Sequence, residues 1–266
     1  MLYKRVISGL LFLPFFYLFT WKLPPVYFTG LVAAAAAIGQ YEFYQMAKAR
    51  GSYPLVVPGI VLGMLVVMDF YPPLSLRMGP YFAAGAALLA VMVLRLFSRR
   101  PVEGAIEDVA GTFLGIAYVA LLFAFQVGVR VGVNGKQWLV FLYFIIWASD
   151  IGAYSIGIPF GRHRLYEKVS PKKSIEGLLG AIAASAGMAL LCQVWFMPEI
   201  GMGEVVAIAV VLCLVGTVGD LVESLFKRAA GVKDSGTLIP GHGGILDRMD
   251  SMLFAAPVLF YYLRMH

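Results

Sequence analysis

Charge is scarce in this chain. Only 14% of its 266 residues are Asp, Glu, Lys or Arg, against 61% hydrophobic, and the mean hydropathy is +0.83. A soluble globular domain with that balance would aggregate, so that class is excluded and an integral membrane protein is left. Cysteine is nearly absent. Cys192 and Cys213 lie inside apolar runs, where small buried hydrophobes are expected rather than a disulfide or a metal pair. The first apolar run has no Ala-x-Ala-like cleavage site, so it reads as a retained helix and not a signal peptide. Low-complexity tails, soluble-domain stretches and convincing internal repeats are also missing, which leaves one membrane domain over 1–266.

What the chain has instead is a series of apolar runs, near 5–20, 26–46, 54–71, 79–97, 108–129, 137–158, 176–197, 203–226 and 248–264. Each is about long enough to cross a hydrocarbon core of ~30 Å as a helix. The expectation is an all-α, polytopic protein of about nine transmembrane helices. With Lys4 and Arg5 inside, 16 of the 21 Lys and Arg residues fall on the cytoplasmic side and 5 on the other. That bias supports an N-terminus inside and a polar face toward the cytoplasm. The net charge of +6 is then a membrane-protein rim that could attract anionic headgroups, not a nucleic-acid footprint. Gly59-x-x-x-Gly63 and Gly157-x-x-x-Gly161 suggest close helix packing. Residues 1–135 read mainly as scaffold, and 136–266 carry the unusual polar content.

The densest polar stretch runs from Gly219 to Asp250, between two apolar segments. Ionisable groups in such places suggest function by default. Asp220 lies about eight residues before Arg228, roughly 12 Å of helix, and so below the membrane surface. Glu223, Ser224 and Lys227 follow on the same face. Lys227 alone suits an ion-pair stripe, but a carboxylate as deep as Asp220 needs a cationic partner. Asp247 and Asp250 share the first turn of the last helix. They could cap it, or Asp247 could face Asp220 so that the two hold Mg²⁺. Between these carboxylates lies Pro240-Gly-His-Gly-Gly244, a turn able to bring backbone N–H groups to an anion. His242 could donate to phosphate or only hold the turn. A second basic loop, Gly161 to Ser174, holds Lys172 and Lys173 behind Pro171, with Ser174 placed to cap the next helix. Asp150, by count, sits at a depth similar to that of Asp220. A funnel with acidic walls and a basic rim follows.

These residues resemble the phosphatidate cytidylyltransferase (CDP-diacylglycerol synthase) family. Its C-terminal signature is matched by Ser224, Lys227, Arg228, Lys233, Asp234, Gly236, Pro240 to Gly244, Asp247, Arg248 and Asp250. An upstream stretch adds Asp150, Ala153, Tyr154, Gly157, Phe160, Gly161, Ser170 to Lys173, Glu176 and Gly177, with Ser174 where Thr is common. The resemblance covers roughly residues 145–255. It implies that CTP and phosphatidic acid give CDP-diacylglycerol and pyrophosphate at a bacterial inner membrane. It makes Asp220, Asp247, Lys172, Lys173 and Arg248 the catalytic candidates. Ser170, Ser224, Lys227, Arg228, Lys233, His242, Gly243, Gly244 and Asp150 become the substrate-binding candidates. Asp220, Asp247, Asp250 and Glu223 are the candidate ligands of Mg²⁺, a second cation being compatible, as is a homodimer. Two rivals remain: a CTP-dependent polyprenol or phytol kinase, which would release CDP, and a secondary transporter, which would favour midplane charges and repeated halves.

Overall fold

The structure is a computed structural model that describes residues 14–75, 79–236 and 243–265. Its helices are α1 (Leu18–Lys22, π-helical), α2 (Pro25–Lys48), α3 (Val56–Asp69), α4 (Gly79–Leu96) and α5 (Ala105–Val131). Then come α6 (Gly135–Phe160), α7 (Ile175–Phe196), α8 (Met202–Ala230) and α9 (Leu246–Met265). They fall on the apolar runs, apart from the first run, part of which lies outside the described residues together with Lys4 and Arg5. By length and apolarity α5, α6, α7 and α8 each suffice to cross a membrane, and Val56–Asp69 and Phe82–Leu96 are shorter apolar helices. The protein is therefore a helical integral membrane protein, and the figure of nine crossings stays a sequence expectation.

Local chemistry sets the helix ends. Pro25 opens α2 at the first position, where its missing N–H costs nothing. Ser174 caps α7 by accepting from the Gly177 N–H at 3.1 Å, as its place in the sequence suggested. Gly231, at φ +72°, ends α8. Its N–H and that of Val232 bond back to the carbonyls of Arg228 and Lys227 at 3.1 and 3.0 Å, a Schellman closure.

Two sequence expectations need correction. The loop Gly161–Ser174 is not structureless: Arg164–Tyr166 (β1) and Ser170–Ser174 (β2) form an antiparallel hairpin, so the fold is not purely helical. Two strands alone are marginal in water, and this pair is anchored by α7, which continues directly from β2, and by the Arg228 guanidinium on the Val169 carbonyl at 3.4 Å. The apolar run read as 137–158 is also longer at its end: α6 continues through Pro159 to Phe160.

α6 and α7 meet through small residues. A Cβ on Gly152 would strike the Gly180 carbonyl, and one on Gly157 would lie 3.5 Å from Gly177 Cα. Backbones this close are what small-residue faces permit in membranes. Gly59 and Gly63 play the same part elsewhere, lying against Tyr44 and Gln40 of α2. The main core joins α2, α5, α6, α8 and α9. In it Phe43, Tyr118 and Phe226 form a ring cluster, Phe226 edge-on to both of the others, with centroids 5.1–5.8 Å apart. Cys192 and Cys213 are buried free thiols, as expected.

Candidate active site

A cleft of about 730 Å³ opens between α6, α7 and α8 under the β-hairpin. Asp150 of α6, Asp220 of α8 and Lys172 and Lys173 of the hairpin line it, with Tyr154 and Ser251. Lys173 Nζ lies 2.5 Å from Asp220 Oδ2, so the hairpin reaches down to the cleft floor. Ser224 Oγ donates to the other Asp220 oxygen at 3.4 Å. Asp150 sits in the fields of Asp220, Lys173 and Arg248. Asp250 sits in those of Asp220, Glu223 and Asp150. Sequence positions up to 100 apart thus converge on one patch, and Asp150 and Asp220 line one cleft.

A second centre adjoins the first. Lys227 Nζ pairs with the buried Glu223 and with Asp247 Oδ1, the latter at 2.7 Å. Asp247 Oδ2 accepts from the Ser235 N–H and hydroxyl, both at 2.9 Å, and from the Gly244 N–H at 2.8 Å. Asp247 therefore fastens the segments on either side of Thr237–His242. Gly243 shows the positive φ foreseen for this turn, +84°, and a Cβ there would lie 2.6 Å from Asp247 Oδ2. His242 lies outside the described residues, so its two roles stay open. Arg228, Lys233, Lys172 and Arg248 are exposed on this face, Arg228 tying the hairpin to α8. Ser170 pairs with Tyr166 in the hairpin instead of lining the cleft.

Glu42 is the residue that sequence reasoning missed. It comes from α2, in the half read as scaffold, and is 5% exposed. Its carboxylate accepts from the Ile245 and Leu246 N–H groups, each at 3.0 Å, and from Ser235 Oγ at 3.2 Å. It thus holds the N-terminus of α9, where a negative charge also suits the helix dipole. The available signal was a lone carboxylate in an apolar helix. Tyr118 was missed too. Its buried hydroxyl has no hydrogen-bond partner among the described residues, and it faces the charges of Glu223, Asp250 and Asp220. It sits in the π-helical stretch Gly115–Leu121 of α5, a distortion frequent at functional sites.

The crowding around Glu42 makes a sharp prediction. A Cβ on Gly244 would lie 2.5 Å from Glu42 Oε2 and closer still to Ser235 Oγ. Gly244→Ala is expected to displace the turn and lower turnover at least about tenfold, consistent with the sensitivity of catalysis to ångström-scale misplacement. A steady-state assay beside a thermal melt checks this.

No group of three or more His, Cys, Asp or Glu among the described residues is placed to hold a metal ion by itself. The donors present still suit a hard cation of magnesium type, which takes one or two carboxylates and completes its shell with water and phosphate oxygens. In this structure lysine ammoniums supply the positive charge beside Asp220, Glu223 and Asp247.

The fold and this cleft define an integral membrane protein with a charged chamber at one end of an apolar bundle. Comparison with known proteins is more specific. A model of the cytidylyltransferase family matches residues 3–266, and the chain belongs to that family. It is 32% identical to a phosphatidate cytidylyltransferase of Bacillus subtilis over 98% of this chain and 97% of that protein. It is likewise 32% identical to one of Synechocystis, over 89% and 88%. A Staphylococcus epidermidis protein of the same name is 41% identical over 57% of this chain and 58% of its own length.

Proposed function

We propose that this chain is a phosphatidate cytidylyltransferase, converting CTP and phosphatidic acid to CDP-diacylglycerol and pyrophosphate. The observation that carries the reading is the pairing of Lys173 with Asp220 on the floor of a cleft that Asp150 also lines and Arg248 adjoins. Cationic side chains stand there beside carboxylates that can hold a cation, which is what two polyanionic substrates need. Family membership and relatives of that activity across bacteria support it.

In the reaction a phosphate oxygen of the lipid attacks the α-phosphorus of CTP. The new P–O bond forms as the bond to the β-phosphate breaks, and pyrophosphate leaves with that electron pair. The lipid's phosphate monoester, with a second pKa of about 6 by analogy with protein phosphomonoesters, is already a nucleophilic dianion near neutral pH. No side chain has to remove a proton. The protein's work is positioning and charge neutralisation. Lys172 and Lys173 hold phosphate from the hairpin side, and Arg248, Arg228 and Lys233 from the rim. Tyr154, Ile158 and Leu178 give the same cleft an apolar wall for the lipid. Asp220 and Asp247 would hold Mg²⁺, with Asp250 and Glu223 beside them, and the ion would neutralise the triphosphate and the departing pyrophosphate. The positive-charge bias supports a cleft facing the cytoplasm.

The test is purified protein with labelled CTP, Mg²⁺ and phosphatidate. Labelled CDP-diacylglycerol and stoichiometric pyrophosphate are expected, and EDTA should stop both, with Mg²⁺ restoring them. Release of CDP would instead point to a lipid-alcohol kinase, and turnover undiminished by EDTA would remove the metal assignment.

A further inference from the structure

At the other end of the bundle α5 closes on a buried arginine. Arg130 is 5% exposed. Its Nη2 donates to the Leu23 carbonyl at 3.2 Å, while its Nε is buried with no hydrogen-bond partner. No carboxylate among the described residues pairs with it. A buried guanidinium left without a counter-charge is penalised by several kcal/mol, so something outside this set of side chains must balance it.

The surroundings specify an anion. Arg130 lines a pocket of about 410 Å³ together with Lys136, and the lining contains no acidic residue. Two helices begin at its wall, α2 at Pro25 and α6 at Gly135. The residue before α6, Asn134, makes no side-chain cap; the Gly135 N–H donates to the Gly132 carbonyl at 3.1 Å, and the N–H groups of Lys136 and Gln137 follow it in the first turn of this 26-residue helix. Helix starts carry partial positive charge and present donors to anions. The guanidinium fork matches phosphate oxygens two at a time. Tyr71, Pro72, Pro73 and Val131 complete the pocket with apolar surface. The length of α6, about 39 Å at 1.5 Å per residue, separates this pocket from the hairpin end of the cleft.

We propose that this pocket binds a phosphate group, held by Arg130, Lys136 and the backbone N–H groups of Lys136 and Gln137 in the first turn of α6, whether borne by a phospholipid headgroup or free in solution. The inference does not depend on the reaction assigned to the cleft.

The experiment uses delipidated full-length protein carrying Lys172→Ala and Lys173→Ala, which removes the hairpin's phosphate-holding side chains from the cleft, and the readout is the change that Lys136→Gln and Arg130→Gln make on this background. This parent is titrated with inorganic phosphate and, separately, with dioctanoyl phosphatidylglycerol, and stabilisation is read as a thermal shift. The parent is expected to be stabilised, and adding Lys136→Gln should weaken the response about tenfold, the scale of one charge-assisted hydrogen bond. Arg130→Gln should weaken it further. A response to the lipid alone assigns a headgroup, and an equal response to inorganic phosphate assigns a free anion. The proposal is overturned if the parent responds to neither probe, or if Lys136→Gln leaves the response unchanged. Lys136 is exposed, so that variant folds and keeps the test decisive even where Arg130→Gln does not fold.

Discussion

Asp220→Asn is expected to abolish CTP-dependent pyrophosphate release, with turnover falling by about 10²–10³ or more, while the protein still inserts and purifies normally. The magnitude is that of removing one preorganised electrostatic group from a transition state with developing charge. The substitution conserves shape and keeps a side-chain oxygen near Ser224, so folding should survive. It removes the negative charge against which Lys173 is held, together with one proposed ligand of the cation. Asp247→Asn should lose activity to a similar extent but should also melt earlier. Its carboxylate takes three hydrogen bonds from Ser235 and Gly244 besides the Lys227 pair. Turnover and melting temperature measured side by side separate the two. Near-normal turnover in both variants would remove the metal assignment.

Glu42→Ala is expected to be the most damaging change in the N-terminal half. It leaves the Ile245 and Leu246 N–H groups without their acceptor, and the Ser235 hydroxyl with Asp247 alone. Each buried donor so orphaned costs on the order of 1–3 kcal/mol. The first turn of α9, which carries Asp247 and Asp250, would lose its anchor. Glu42→Gln retains one acceptor oxygen and should recover most of the thermal stability. Turnover should recover less, because the amide's NH₂ faces donors and tilts the turn. A drop in kcat with KM for CTP nearly unchanged in Glu42→Gln would mark Glu42 as a positioning residue. If stability and turnover are restored together, its role is only structural.

The difference between Asp220 and Glu42 shows what could be read in advance. Asp220 announces itself, as a carboxylate deep in an apolar run with Lys227 and Arg228 a few residues on, close to a glycine-rich turn. Glu42 is equally deep and apolar in its surroundings, but its partners lie 193 to 204 residues away. No local pattern joins α2 to the start of α9. The helices themselves were legible because apolar runs of membrane length have almost no other way to satisfy their backbone. The hairpin was not, because its three-residue and five-residue strands are too short to show a period and depend on tertiary anchoring. Asp247 was recognised as part of the site, whereas its hold on Ser235 and Gly244 required knowing that the two sides of the turn fold back on one another.

Composition and local order alone determined that this is a membrane protein, where its helices run, and that its densest polar stretches lie in the C-terminal half. These properties belong to single segments, set by apolar length and by caps such as Ser174 and Gly231. The tertiary structure decided the rest: that Lys173 reaches Asp220, that a scaffold helix supplies Glu42, and that Arg130 ends in a basic pocket free of carboxylates. Pairings between distant segments follow from packing geometry, because the close approach of Gly152 to Gly180 and the course of α2 past the start of α9 fix which charges meet.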